Sequence, residues 1–323
     1  MNSRINIGVM GCARIAKRSV LPAIKKLNDR FHLVGVASRS RSKAESFAKE
    51  FSCEAFVGYE SLLSRSDIDA IYIPLPTGLH HQWIMAAVTH GIHVYAEKSF
   101  VSNHCEASEI IDEAKKENIA LMEGYMFQYH HQHSIVKNLL RERQIGDIRS
   151  FSSSFGFPPL EKSNFRYDKN LGGGVLMDAA GYTVRSALML LGSELKVAGS
   201  SLHIDPESGV DLYGCAFLKN KFGVGAQLSY GFDNYYQCNY KIWGSSGMIH
   251  VPKAFTPKND EETIIVIEKN NEQEIIKCDA EDHFVSSFTE FANLIEDGES
   301  KDKHYNEILK QATTLERIRD VAE

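Results

Sequence analysis

The sequence predicts an α/β protein in two parts: a doubly wound parallel sheet over residues 1–124, then an α+β domain over residues 125–323 with a large open, mostly antiparallel sheet. Three observations lead there. The first part alternates short apolar runs with amphipathic stretches, the pattern of buried strands covered by helices. Most later apolar segments alternate with polar residues at period two, as half-buried strands do. The 323 residues are enough for two cores of ordinary size.

Taken in order, the strands of the first part fall at residues 5–10, 32–37, 70–74, 93–96 and 120–124. Helices fall between them at 42–51, 80–90 and 103–118, the last opening with Asn103 and Glu106 at capping-box spacing. A helix over 132–143 precedes the change of period. Strands then follow at 149–155, 210–218, 223–230, 236–244 and 263–268, with one helix at 175–191 and two closing helices from about Glu281. A sheet with an uncovered face needs burial, which predicts a homo-oligomer, dimer or tetramer, formed through that face. No solenoid-type repeat interrupts the pattern.

Composition narrows the function. With 43% hydrophobic and 24% charged residues the chain buries normal cores, and a net charge of -6 offers no attraction to nucleic acid or anionic lipid. The N-terminus runs straight into a strand pattern, and no stretch approaches about 18 apolar residues, so a cytoplasmic protein is expected. The six cysteines are scattered singly, as reduced and mostly buried thiols.

The first strand ends in a glycine-rich turn, Gly11-Cys12-Ala13-Arg14-Ile15-Ala16, that opens a helix. A Rossmann domain places a dinucleotide pyrophosphate at such a turn. Ala13 replaces the usual middle glycine, and a strand-to-helix turn without a ligand is the alternative reading. At the end of the second strand a carboxylate selects NAD(H), whereas an arginine accommodates the 2'-phosphate of NADP(H). The residues there are Ser38, Arg39, Ser40 and Lys43, which favours NADP(H) over NAD(H). Read alone, they are a solvated basic loop.

Two further segments lie at carboxyl ends of strands, where open sheets bind ligands: Leu75-Pro76-Thr77 with His80, and Glu97-Lys98-Ser99. A lysine near a cofactor can donate to a substrate hydroxyl and favour a neighbouring phenolate, although an isolated Glu-Lys pair is equally a surface feature. A third segment, Gly172-Gly173-Gly174, leads into a helix on which Asp178 and Tyr182 are four residues apart and share a face. Their ordinary readings are a surface charge and a core aromatic. Reduction of a ketone makes an alkoxide that needs a proton, which Tyr182 can give if the Lys98 ammonium lowers its pKa. Tyr125, Gln128 and Arg166 are candidate substrate ligands, Arg166 for a phosphate or carboxylate. His130, His131 and His133 have no accompanying carboxylate or cysteine spacing, so no metal is assigned and they are read as cleft lining.

The Gly11–Ala16 turn, the Glu97-Lys98 pair and the Gly172-Gly-Gly-x-Leu-x-Asp178-x-x-x-Tyr182 run together resemble the glucose-fructose oxidoreductase / inositol dehydrogenase / MocA family along essentially the whole chain. The stretches around Arg18–Pro22, Tyr72–His80 and Phe155–Pro159 are similar to its nucleotide-sugar 3-ketoreductase branch. The resemblance implies Lys98 and Tyr182 as a catalytic pair with Asp178 beside the substrate, and reduction of a keto group on a nucleotide-linked sugar. Alternatives are an NADP-dependent dehydrogenase of a free sugar or polyol, and a dinucleotide sensor without catalysis. Three positions depart from the family pattern: Ala13, Ala180, and Ser99, where proline usually follows the Glu-Lys pair and eases a cis bond.

Overall fold

The structure, a computed structural model, describes residues 4–297 and 301–322. Its first sheet is built from β1 (Ile5–Met10), β2 (Phe31–Ser38), β3 (Glu54–Val57), β4 (Ala70–Ile73), β5 (His93–Ala96) and β6 (Leu121–Glu123). Between these strands run α1 (Leu21–Lys26), α2 (Arg41–Phe51), α3 (Glu60–Leu63), α4 (His80–Thr89) and α5 (His104–Lys116). All pairs are parallel, in the order β3-β2-β1-β4-β5-β6, the reversal at β1/β4 marking where such sheets bind dinucleotides. The four-residue β4 is buried throughout, as helices on both faces require. Asn103 accepts the Glu106 N–H at 2.9 Å, so α5 starts where the capping spacing puts it.

The second sheet follows α6 (His131–Arg141). It comprises β7 (Ile148–Gly156), then, after α7 (Gly181–Leu191), β8 (Lys196–Ile204), β9 (Asp211–Lys219), β10 (Gly225–Gly231), β11 (Gln237–Gly244), β12 (Met248–Val251), β13 (Thr263–Lys269) and β14 (Glu272–Cys278). The order is β14-β13-β12-β11-β7-β10-β9-β8, antiparallel except for the β7/β10 pair. Alternation decides its two faces. In β11, Cys238, Tyr240 and Ile242 are buried while Gln237, Lys241 and Trp243 face outward. Tyr213, Phe217, Trp243 and Ile275 are exposed large hydrophobic residues of these strands.

The chain ends with α8 (His283–Asp297) and α9 (Lys301–Ala322). Two compact units result: Met1–Gly124 with Phe284–Leu309, and Tyr125–His283 with Lys310–Glu323. The expected division kept all residues after 124 together; α8 and the start of α9 cluster with the first unit instead. The reason is aromatic packing and polar anchoring. Phe288 stacks on Tyr95 with centroids 4.5 Å apart, and Ser287 shares a 2.7 Å hydrogen bond with the Tyr95 hydroxyl. Lys301 donates to the Asn118 carbonyl at 2.8 Å, and Tyr305 donates to that of Ile119.

Candidate active site residues

Gly11 directly follows β1 with φ +131°, and a Cβ there would stand 3.0 Å from the Leu75 side chain, so a larger residue would meet both strain and crowding. The following turn bounds a groove of about 360 Å³, lined by Gly11, Cys12, Ala13, Ser38, Arg39, Ser40, Lys43, Tyr59, Pro74, Leu75 and Pro76. Nine of the sequence candidates therefore meet around one cavity. The Ser40 hydroxyl caps α2 by accepting the Lys43 N–H at 3.4 Å, while Ser38 Oγ accepts the Ser40 N–H at 3.2 Å, shaping the turn that presents Arg39. The lining carries two cations and no carboxylate, which suits a phosphate better than a ribose diol. Burial raises the Cys12 thiol pKa, with Ser38 and Lys43 acting against it.

Tyr59 and Pro74 were missed. The signal for Tyr59 would have been the end of β3, an edge strand whose Glu54, Ala55 and Val57 are exposed and which has no apolar run to betray it. Arg14, Ile15 and Thr77 do not line this groove: Arg14 points to solvent, Ile15 is half-buried at the helical opening, and Thr77 is buried in a short 3-10 turn. His80 is a correction. It is fully buried, with Nδ1 2.9 Å from the Ser99 carbonyl and 3.1 Å from that of Phe100, and Nε2 2.7 Å from that of Leu75. Burial lowers its pKa against the pull of those carbonyls. It therefore braces the loops after β4 and β5 instead of meeting a cofactor.

Beyond β5 the Lys98–Ser99 peptide bond is cis, although no proline follows the lysine. Neighbouring side chains hold this segment. Tyr72 donates to Glu97 Oε1 at 2.7 Å, and Glu123 accepts the Phe100 N–H at 2.9 Å. The sequence gives neither Tyr72 nor Glu123 a site role, because each looks like an ordinary strand residue until the parallel register brings it beside β5.

In the second unit the three glycines allow a close approach. A Cβ on Gly173 would lie 2.5 Å from the Arg166 carbonyl oxygen, and one on Gly174, at φ +107°, would overlap the Asp211 carboxylate. Asp211 accepts the Leu176 N–H at 2.6 Å and so closes the start of the helical segment leading to Asp178 and Tyr182. Arg166 donates to Asp178 through Nε at 2.6 Å and Nη2 at 3.4 Å, a forked pair that neutralises both charges. Arg166 is thus not the independent anion ligand expected of it. The Tyr182 ring is 6% exposed and clasped by Phe155, Phe127 and Phe255 with centroids 4.8, 5.7 and 5.7 Å away. Its hydroxyl lies 4.0 Å from Met126 Sδ.

Tyr125 is a second correction. It has no exposed surface, its hydroxyl accepts from Gln311 at 3.1 Å, and it packs edge-on behind Tyr182 with centroids 5.3 Å apart, so it backs the helix and does not line a substrate cavity. Gln128 remains half-buried on the turn Met126–Tyr129.

Comparison with known proteins agrees with this geometry. Residues 5–125 match the model of the oxidoreductase family with an NAD-binding Rossmann fold, and residues 133–250 match the GFO/IDH/MocA C-terminal domain. A dTDP-3,4-didehydro-2,6-dideoxy-alpha-D-glucose 3-reductase of Saccharopolyspora spinosa is 41% identical over 94% of this chain and 91% of its own. This chain belongs to the Gfo/Idh/MocA oxidoreductase family. The crystal structure of KijD10, a 3-ketoreductase from Actinomadura kijaniata in complex with NADP and TDP-benzene, superposes with a TM-score of 0.96 at 36% identity, covering 99% of this chain and 98% of that one. A D-xylose 1-dehydrogenase (NADP(+)) of Haloferax volcanii is 28% identical over 98% of this chain and 97% of its own.

The histidine cluster of this family member is not cleft lining. His133 is buried, with Nδ1 3.0 Å from the Tyr240 hydroxyl and Nε2 2.9 Å from the Ala254 carbonyl, and burial pushes its pKa down to about 3. His130 caps α6 by accepting the Gln132 N–H at 3.3 Å. The sequence showed no carboxylate near these histidines, yet Glu281 arrives from the far end of the second unit. It accepts both the backbone N–H of His131 at 2.6 Å and its ring at 2.7 Å. The ligand-type atoms of His130, His131 and Glu281 lie within 4.8 Å of one another, and these hydrogen bonds use them to close the start of α6. The cysteines also differ from expectation: Cys238 and Cys278 are buried, Cys12 and Cys53 half-buried, Cys105 and Cys215 exposed, all unpaired. Among the described residues no helix is long and apolar enough to cross a membrane.

Proposed function

We propose that this oxidoreductase uses NADPH to reduce a keto group on a dTDP-linked deoxysugar. The observation that carries the reading is the groove at the ends of β1 and β2, where Arg39 and Lys43 stand among serine hydroxyls with no carboxylate in the lining. Gly11, Cys12 and Ala13 would border the pyrophosphate, and Ser38, Arg39, Ser40 and Lys43 the 2'-phosphate. When bound, the nicotinamide supplies a hydride at C4.

The residues of the chain handle the proton and the substrate. Tyr182 donates its hydroxyl proton to the carbonyl oxygen, and the Lys98 ammonium favours the phenolate left behind. Asp178, held by Arg166, accepts a sugar hydroxyl, with Gln128 a further contact. The solved relative supports this assignment: KijD10 was also determined as lysine and tyrosine variants, at positions separated by the same number of residues as Lys98 and Tyr182.

The same reading includes a cytoplasmic protein that self-associates through the exposed strand residues Tyr213, Phe217 and Trp243. A monomer in sedimentation at micromolar concentration would end that part of it. The second reading, oxidation of a free sugar with NADP+, is favoured by the xylose dehydrogenase relative. Turnover decides between them. NADPH consumption with a dTDP-linked 3-keto-sugar and none with free sugars supports the first; NADP+ reduction by free aldoses alone supports the second.

A further inference from the structure

Behind Tyr182 lies a buried amide that the mechanism above does not use. Leu176–Ala180 is a π-helical turn, wider than an α-helix: the Ala180 N–H reaches the Val175 carbonyl, five residues back, at 3.0 Å, and α7 starts at the next residue, Gly181. The rotation of that wide turn sets where Tyr182, one residue further on, leaves the helix. Gln311 of α9 closes on this junction. Its Nε2 donates to the Gly181 carbonyl at 2.9 Å and to the Tyr125 hydroxyl at 3.1 Å. Gly181 has no side chain to hold the two apart, since a Cβ there would overlap the Tyr125 hydroxyl. The Tyr125 ring has the Arg185 guanidinium 5.0 Å over its face and stands edge-on to Tyr182. All of these residues belong to the second unit. Gln311 is 1% exposed, and among the described residues nothing donates to its Oε1. Burying an amide with one end unmet costs stability, so packing alone favours an apolar side chain here. What the amide adds is direction: the two hydrogens on one nitrogen fix the Gly181 carbonyl and the Tyr125 ring together.

We propose that Gln311 is a positioning residue for the proton donor, its side-chain amide pinning the Gly181 carbonyl and the Tyr125 hydroxyl so that Tyr182 leaves the wide turn in one fixed direction. The inference rests on the reading of Tyr182 as that donor. Proton transfer needs the phenol within hydrogen-bond reach of the substrate carbonyl oxygen, so a turn free to rotate lowers the rate. It leaves the cofactor groove alone, because residues of the first unit form that groove.

The test compares the full chain with Gln311→Met, which keeps the length of the side chain and removes both donors. kcat with a dTDP-linked 3-keto-sugar is expected to fall about tenfold to a hundredfold while the NADPH Kd, by fluorescence titration, stays within about twofold. In a Tyr182→Phe background, adding Gln311→Met is expected to lower kcat no further. A second readout needs no substrate: fluorine NMR of protein labelled with fluorotyrosine, where the Tyr182 signal is the one that Tyr182→Phe removes. That signal is expected to shift and broaden in Gln311→Met. Parental kcat, an equal further loss in the Tyr182→Phe background, or an unmoved Tyr182 signal overturns the proposal. Where Gln311→Met fails to fold, Tyr125→Phe takes its place, deleting the hydroxyl that the amide grips and keeping the ring against Tyr182. Its kcat is expected to fall about threefold to tenfold, and a parental kcat counts against the proposal in the same way. If Tyr182→Phe by itself turns over at the parental rate, the proton-donor reading fails, and the role of Gln311 fails with it. A slow Tyr182→Phe beside a parental Gln311→Met sinks the role of Gln311 alone.

Discussion

Tyr182 shows how little a residue's identity says before its surroundings are known. Its spacing from Asp178 was visible on a helical face, but the Phe127, Phe155 and Phe255 cage that fixes the ring is drawn from three distant parts of the chain. Tyr182→Phe preserves that packing and deletes the hydroxyl, so NADPH affinity and unfolding midpoint should stay at the parental values while kcat falls about 10²- to 10⁴-fold. A variant that turns over at the parental rate removes Tyr182 as the proton donor. Arg166 teaches the converse. A lone arginine near a site reads as an anion ligand, yet the fold turns it onto Asp178, and no spacing rule links two residues separated by an irregular loop.

At the scale of elements, glycines and caps carry the information. The Gly172–Gly174 run announced a special backbone, and the structure supplies the reason: Gly174 has left-handed φ and its missing Cβ leaves room for the Asp211 carboxylate that caps the next turn. Gly174→Ala should cost about 1–3 kcal/mol of stability through strain and crowding. It should lower kcat as well, with NADPH affinity retained because the cofactor groove is formed by residues of the other unit. Urea unfolding and a titration check both; parental stability would mean that Asp211 moves aside at no cost. Most strands with strong period-two alternation were legible, whereas β3, β8, β12 and β14 were not. Of these, β3, β8 and β14 border their sheets or lie mostly in solvent, and β12 has only four residues, so none carries much apolar signal.

Across the whole molecule, buried imidazoles tie stability to pH. Burial lowers the pKa of His133 to about 3 and those of His93 and His283 to about 4, from 6.5. Folded values below unfolded ones mean that the native state resists protons that the unfolded chain takes up. The stability these neutral rings contribute is present above pH 6.5 and is lost as pH falls from there towards about 4, on the order of 1 kcal/mol per pH unit for each histidine. Urea midpoints measured from pH 7.5 down to pH 5 should therefore drop steeply below pH 6.5. A flat profile would show that these rings are solvated in the native state.

The sequence by itself determined the parallel and open sheets, the glycine turn and the basic end of β2, because periodicity, caps and strand-end chemistry are local properties of the chain. Only the tertiary structure decided that α8 joins the first unit, that Tyr59 walls the groove, that His80 and Tyr125 brace instead of bind, and that Glu281 answers His131. Each of those outcomes depends on side chains far apart in sequence reaching the same few ångströms, and the identity of a contact partner across such distances is set by packing, not by spacing.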